Sequence, residues 1–392
     1  MRILHTSDWH IGRSFHGHPT IANLRVVLDA LIEVVRQRAV EVVVVSGDVF
    51  DSATPSADAY GVLQNALRGL RDAGAQVVMT SGNHDSATRL GFQSEWLGIA
   101  GIHIITQAAQ HRVPVTIADA DGPVHFYGIP YLEPSLIRHL YPGVELRSHG
   151  QALGHAMAGV RADIAERAAA AGGARQRSVV LSHCFAADAA AQASDAERDI
   201  TAGGLNLVAA STFEGPDYVA LGHIHGRATL TERVRYSGAP LHYSFSEAHK
   251  PRGTWLVELD AHGLKTVDWV SLPIPRPLAV LTGDLDDLLA DPAHDRLTDS
   301  WVAAVVTDQV RPLDGMRRLQ ARFTWCVKLE HRPSLVADAG EGSYAERMHR
   351  RTDEEIVTGF LELVRNGVGP SAPERALIND IITENAAREA QK

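Results

Sequence analysis

Five short stretches carry side chains that could do chemistry together. They are Asp8 and His10 in SDWH, Asp48 in GDVFD, Asn83 and His84 in GNHD, His183 in LSHC, and His223 and His225 in GHIH. Carboxylates, an amide carbonyl and imidazoles form a borderline-to-hard donor set. Such a set suits Mn²⁺, Fe²⁺ or Zn²⁺ rather than a thiolate site or a calcium cage. These eight side chains offer too many ligands for one catalytic ion and about the right number for two that share a carboxylate. Two ions about 3.5–4 Å apart clamp the attacking and leaving oxygens of a phosphoryl displacement and bring the pKa of bound water from 15.7 to about 7. The chemistry expected is metal-assisted hydrolysis of a phosphate ester. Any one of these residues alone could be an ordinary turn former or a hydrogen-bonded surface histidine; the shared placement of all five clusters after strands is what points to metal.

The elements that must position them alternate. Arg2 to Thr6 reads as a strand, and Leu24, Val27, Leu28, Leu31 and Val35 then recur at helical spacing. Val42 to Ser46 is a continuous apolar run, as for a strand buried on both faces. A second helical stripe, Tyr60, Leu63, Leu67 and Leu70, leads to a strand at Val77 to Thr80. Further strands are expected at 102–105, 113–117, 124–129, 179–182 and 218–221, with a helix over 150–173. This order implies an α/β domain with right-handed crossovers, in which ligand sites form beyond the carboxyl ends of the strands. Asp8/His10 and His223/His225 are i, i+2 pairs, which an extended backbone puts on one face. Gly47 and Gly82 precede Asp48 and Asn83, where a tight turn lets the backbone approach a ligand.

Composition narrows the class. At 392 residues, 45% apolar and 21% charged, the chain is an ordinary globular one of two or three domains. No run reaches the roughly 18 uncharged apolar residues of a membrane span, and the N-terminus turns polar too early for a secretory signal. Two cysteines, Cys184 and Cys326, fit a reduced, cytoplasmic setting. A net charge of −10 argues against a broad basic nucleic-acid-binding surface, so any grip on phosphate must be local.

The five blocks, in this order, resemble the calcineurin-like metallophosphoesterases, whose pattern is Asp-x-His, Gly-Asp-x-x-Asp, Gly-Asn-His-Asp/Glu, His and Gly-His-x-His. More narrowly, SDWHIGRSF, GDVFDSATPS, GNHDS, YGIPYLEP, LGHIHG and YSGAPLHYSFSEA resemble the nuclease subunits of the bacterial SbcCD complex. Serine/threonine phosphatases of the superfamily carry Arg-Gly after the second block, where this chain has Ser52-Ala53, and Glu at the position of Asp85. The resemblance implies a two-sheet sandwich flanked by helices over residues 1–270, a small α/β capping domain at 275–335 and a helical tail at 340–392. It implies two divalent metals, Mn²⁺ above all: Asp8, His10 and His225 at one, Asn83, His183 and His223 at the other, Asp48 bridging. His84 would be the catalytic residue, stabilising the transition state and protonating the leaving oxygen as a general acid. The activity implied is that of a DNA exonuclease on double-stranded ends and endonuclease on single strands and hairpins, acting in repair and recombination with an SbcC-like coiled-coil ATPase, as a homodimer within a heterotetramer.

The segment Pro273 to Pro277 is stiff and helix-hostile, a good boundary. Beyond it, strands are expected at 278–281, 301–307 and 324–329. Thr352/Glu355 and Ser371/Glu374 have capping-box spacing and start two helices. Phe360, Leu361, Ile381 and Ile382 would form apolar faces for the ATPase partner or pack on the chain's own core. Asp51 and Asp85 would orient ligand histidines or close turns; Arg13, His16, His18 and Arg89 would meet DNA or solvent; Cys184 reads as a small buried hydrophobe rather than a ligand. Two other functions stay open on residues alone: a small-molecule phosphodiesterase or phosphomonoesterase, which would not need the tail, and a non-catalytic scaffold, from which ligands are usually missing.

Overall fold

In the computed structural model, which describes residues 1–187, 207–333, 351–365 and 367–389, the run Val42–Ser46 is a strand buried at every position. Its alternation explains why. Val43 and Val45 meet the apolar stripes of the helices Ile21–Arg38 and Ala57–Asp72, among them Leu24, Leu31, Leu63 and Leu67. Val42 and Val44 point the other way, onto Phe126, Val179, Leu181, Tyr218 and Ala220 of a second sheet. Each such fully buried aliphatic or aromatic side chain contributes about 1.5–3 kcal/mol.

Within the unit Met1–Pro277, two six-stranded sheets thus face each other. The first runs Gly263–Ser271, Gly253–Asp260, Arg2–Thr6, Val42–Ser46, Gln76–Thr80, Ile102–Ile105, with the last four strands parallel. The second runs Ala228–Thr229, Val234–Tyr236, Tyr218–Gly222, Arg177–His183, Gly122–Ile129, Val115–Asp119, with its central four parallel. The 113–117 strand starts two residues late, because a 3₁₀ turn at Ala108–Arg112 precedes it and leaves Val113 exposed. The long helix is His149–Ala170, opened by a Ser148/Gln151 capping box. The antiparallel hairpin Gly253–Asp260/Gly263–Ser271 has no counterpart among the strands expected from sequence. Its second strand is an edge on which only Gly263 is fully buried, and Lys265 and Asp268 interrupt the apolar pattern.

The unit Leu278–Lys392 begins directly after the proline-rich segment. Its parallel strands Leu278–Gly283, Trp301–Val306 and Cys326–His331 carry the helices Leu285–Ala290 and Gly315–Arg322 over a core of Leu281, Leu285, Val302, Leu319 and Phe323. The helix Asp353–Val364 has the reciprocal Thr352/Glu355 cap, and Ala372–Glu389 follows, with Glu374 accepting from the Ser371 amide at 2.8 Å. No residue of either tail helix is buried among those described. No helix among the described residues is long and apolar enough to cross a membrane.

Candidate metal centre

Each cluster leaves the carboxyl end of its strand: three from the first sheet, two from the second. Bonds across the two sheets close this end. The Ser46 hydroxyl donates to the Ala220 carbonyl at 2.8 Å, and His183 Nδ1–H donates to the Ser46 carbonyl at 2.9 Å. The His223 amide donates to both Asp8 carboxylate oxygens, at 3.0 and 3.2 Å.

The i, i+2 pairs do not converge through extended backbone, as their spacing suggests. Asp8, His10, Asp48 and His223 have φ of 53, 43, 48 and 106°, four of the eight non-glycine positive values among the described residues. Such conformations cost about 1–3 kcal/mol each and persist where the surroundings impose them, characteristically at functional sites. Here the Asp8 amide is held by the Gly47 carbonyl at 3.0 Å and the His10 amide by the Asp48 carbonyl at 2.9 Å. The glycines supply room as well as turns. A Cβ on Gly82 would fall on the Asp48 carboxylate, and one on Gly47 (φ 81°) would fall on the His183 ring.

All seven expected ligands and His84 come together. Asp8, His10 and His225 place donor atoms within 4.8 Å of one another, as do Asp8, Asp48 and His183, and also His10, Asp48 and His84. His10 Nε2 and His225 Nε2 are 3.1 Å apart. Asn83 Oδ1 lies 3.0 Å from His183 Nε2 and 3.2 Å from His223 Nδ1. Asp48 Oδ2 sits between the groups, 3.5 Å from His10 Nε2 and 3.4 Å from His183 Nε2. Donors about 2.1 Å from a shared ion are about 3.0–3.4 Å apart, so the residues fit divalent cations. His183 Nδ1 gives its proton to a carbonyl, which leaves Nε2 with the lone pair that ligates. His84 Nδ1 likewise donates to the Asp51 carbonyl at 3.0 Å, and its amide donates to Asp48 Oδ1 at 2.9 Å.

Electrostatics favour the same occupant. Burial pushes Asp8 up to about 6, while His183 and His225 pull against it. Burial also works against Asp48, yet His183, His10 and His84 hold it well below the usual carboxylate range. Burial takes His10 down to about 4 and His223 to about 3, leaving both as the neutral imidazoles that ligation needs. His183 opposes burial and is drawn up to about 9 by Asp48, so cation loading must release its proton.

The neighbouring residues divide by role. Asp51 Oδ1 lies 3.2 Å from His10 Nδ1 and takes Arg13 at 3.1 Å, so it orients a candidate ligand. Asp85 closes turns, accepting the Val49, Phe50 and Gly82 amides at 3.1, 2.8 and 2.9 Å. Arg89 donates to the Ala53 carbonyl at 2.6 Å. Cys184 is buried in the second-sheet core, where burial pushes its thiol up to about 12. Sequence reasoning passed over Glu247 and Arg252, although Glu247 stands in the YSGAPLHYSFSEA stretch. Both are buried and paired at 2.5 Å, with Glu247 Oε1 3.5 Å from His225 Nδ1.

The two-sheet fold and this donor cluster fit a metal-dependent phosphoesterase of the kind that binds two divalent metals, and residues 1–144 match the family model of the calcineurin-like phosphoesterases. That match covers Asp8 through His84; His183, His223 and His225 join through the geometry. Residues 274–365 match a second model, named for the SbcD C-terminus and described as the type 5 capsule protein repressor C-terminal domain, which brings the chain close to SbcD. Among solved structures the chain is similar to TT1561 of Thermus thermophilus, at 14% identity over 69% of this chain and 98% of that one, TM-score 0.39. It is similar also to a dimetal phosphatase from Danio rerio, at 15% identity over 70% and 99%, TM-score 0.38. A third is GAP50, the anchor in the inner membrane complex of Plasmodium, at 12% identity over 88% and 99%, TM-score 0.40.

Proposed function

We propose that the protein is a Mn²⁺-dependent DNA nuclease, an exonuclease on double-stranded ends and an endonuclease on single strands and hairpins, working in the cytoplasm with an SbcC-like ATPase in repair and recombination. The observation that carries the hydrolytic part is Asp48 Oδ2, set between imidazoles from the two sheets at 3.5 and 3.4 Å. In this reading Asp8, His10 and His225 hold one cation, Asn83, His183 and His223 the other, and Asp48 is shared. When bound, the cations neutralise phosphoryl charge and acidify water.

The chain's own residues do the rest. His84 keeps Nδ1–H on the Asp51 carbonyl, so Nε2 is the nitrogen that gives a proton to the leaving oxygen. Its amide bond to Asp48 fixes that imidazole relative to the shared carboxylate. Asp8, His10 and His183 are wholly buried, which keeps bulk water from the rear of the site and strengthens every charge interaction there.

A polymeric substrate and a protein partner are supported by the second unit. Residues 1–270 would be the nuclease domain, 275–335 a cap facing DNA, and 340–392 the ATPase-binding tail. Among the described residues the tail helices expose Phe360, Leu377 and Ile381 and leave Leu361 and Ile382 half-buried, which supports an apolar face for a partner. A homodimer is supported by a second apolar surface: Phe92, Trp96 and Ile99 are 70, 73 and 82% exposed, and Phe92 lines a groove of about 660 Å³ with Tyr60, Leu63, Leu67 and Leu97.

The test is digestion of a hairpin-ended duplex with Mn²⁺, with and without the ATPase, beside a chromogenic phosphodiester. Cleavage of the duplex, lost in Asp48→Asn and His84→Gln, is expected, and His84→Gln should keep its metals. Turnover of the small ester with no DNA cleavage under either condition would replace this reading by a small-molecule phosphodiesterase.

A further inference from the structure

We infer that Glu247, backed by Arg252, is a positioning residue that sets the ring orientation and tautomer of His225, so that the His225 Nε2 lone pair faces the same point as His10 Nε2. The inference rests on the two-cation reading of the site.

Glu247 and Arg252 are wholly buried, and their side chains meet at 2.5 Å. A buried ion pair is weak evidence for stability, because desolvation offsets most of its attraction and an apolar pair of the same volume often serves as well. Its presence here leaves room for another use, and the remaining contacts supply one. Arg252 holds the main chain of His225 by donating to the His225 carbonyl, and it reaches the Ala239 carbonyl at 3.3 Å. Glu247 Oε2 accepts the Tyr243 amide at 3.0 Å, and Oε1 lies 3.5 Å from His225 Nδ1, a charge contact just beyond hydrogen-bond geometry. The pair therefore holds His225 by a hydrogen bond to its backbone and sets a carboxylate charge against its ring.

Tyr243, fixed by the same carboxylate, stands edge-on to both rings, with centroids 5.4 Å from His10 and 5.7 Å from His225, and its hydroxyl donates to the Trp9 carbonyl at 2.9 Å. The arrangement has a counterpart at His10, where Nδ1 meets Asp51 at 3.2 Å and Asp51 takes Arg13 at 3.1 Å. Imidazole, carboxylate and arginine thus occur twice, built from unrelated segments, once behind each histidine of the Asp8 group. His183, in the other group, is backed by a neutral carbonyl. A carboxylate at Nδ1 keeps the proton there, presents Nε2 unprotonated and raises its basicity as a ligand.

The experiment compares wild type, Glu247→Gln and the double variant Glu247→Gln/Arg252→Met, which leaves no cation unpaired. Each is titrated with Mn²⁺ by calorimetry, with bound metal counted by elemental analysis and folding followed by circular dichroism. In both variants one of the two Mn²⁺ equivalents should weaken by about 10–100-fold and the other hold its affinity. Folded variants that keep both equivalents at wild-type affinity overturn the inference while leaving the two-cation site intact. Wild-type protein that takes up no Mn²⁺ overturns the reading beneath it.

Discussion

Replacing Gly82 with alanine adds one methyl group to the turn after Gln76–Thr80, and that methyl would fall on the carboxylate and amide nitrogen of Asp48. The φ of Gly82 is not in the left-handed region, so alanine is allowed by the backbone and refused only by space. One obstacle is main chain, which no rotamer change can clear. Overpacking of this sort costs about 1–3 kcal/mol. A unit of this size loses about 2–4 °C in Tm per kcal/mol, so Gly82→Ala should melt about 2–12 °C below wild type without metal. Asp48 must also leave its place between His10 and His183, and the affinity for both Mn²⁺ equivalents should fall about tenfold or more. Scanning calorimetry on chelated protein and a Mn²⁺ titration give the two readouts. Gly154→Ala is the control, since a Cβ there meets nothing within 4 Å inside the helix His149–Ala170; it should stabilise by about 0.5–1 kcal/mol. A Gly82→Ala protein with wild-type Tm and two Mn²⁺ at wild-type affinity would refute the claim that this glycine reserves the space of the shared carboxylate.

Three further outcomes are expected. His5 donates Nε2–H to the Leu221 carbonyl at 3.1 Å and accepts the Tyr218 hydroxyl at Nδ1 at 2.9 Å, and burial lowers it from 6.5 to about 3. The unfolded chain takes up that proton first as pH falls, so this part of the stability is complete above pH 6.5 and lost progressively towards pH 3. Urea unfolding of chelated protein between pH 7 and pH 4.5 should therefore show a shallower decline in His5→Asn; parallel slopes would contradict it. Trp96→Glu, at a side chain 73% exposed, should shift sedimentation toward monomer, and an unchanged distribution would remove that surface from the dimer. Deleting residues 345–392 should abolish capture by the coiled-coil ATPase, and full binding by the truncated protein would end the tail's assigned role.

The fold was legible where burial is two-sided. Val42–Ser46, Gln76–Thr80 and Tyr218–Gly222 read as strands because both faces are covered and nothing polar interrupts them. The hairpin Gly253–Asp260/Gly263–Ser271 was not, because an edge strand with one wet face mixes Lys265 and Asp268 into its apolar residues. At the site, residue types announced themselves through repeated placement of Asp, Asn and His after strands. The route to convergence did not, since the left-handed backbone at Asp8, His10 and His223 is held by the Gly47 and Asp48 carbonyls and the Asp8 carboxylate, from loops after other strands, rather than by an alternating pattern.

What the sequence by itself determined is the donor set and the strand ends that deliver it. Both are local properties, written in side-chain chemistry and in apolar periodicity over a few residues. What only the tertiary structure decided is which donors share a point and what holds them there. His10 and His225 meet across 215 positions of chain, and Glu247 and Arg252 become a clamp only once the segment after Tyr243 folds against them. Such contacts depend on the facing of two sheets, and that facing is set by the summed burial of the core between them, a quantity no short window of sequence contains.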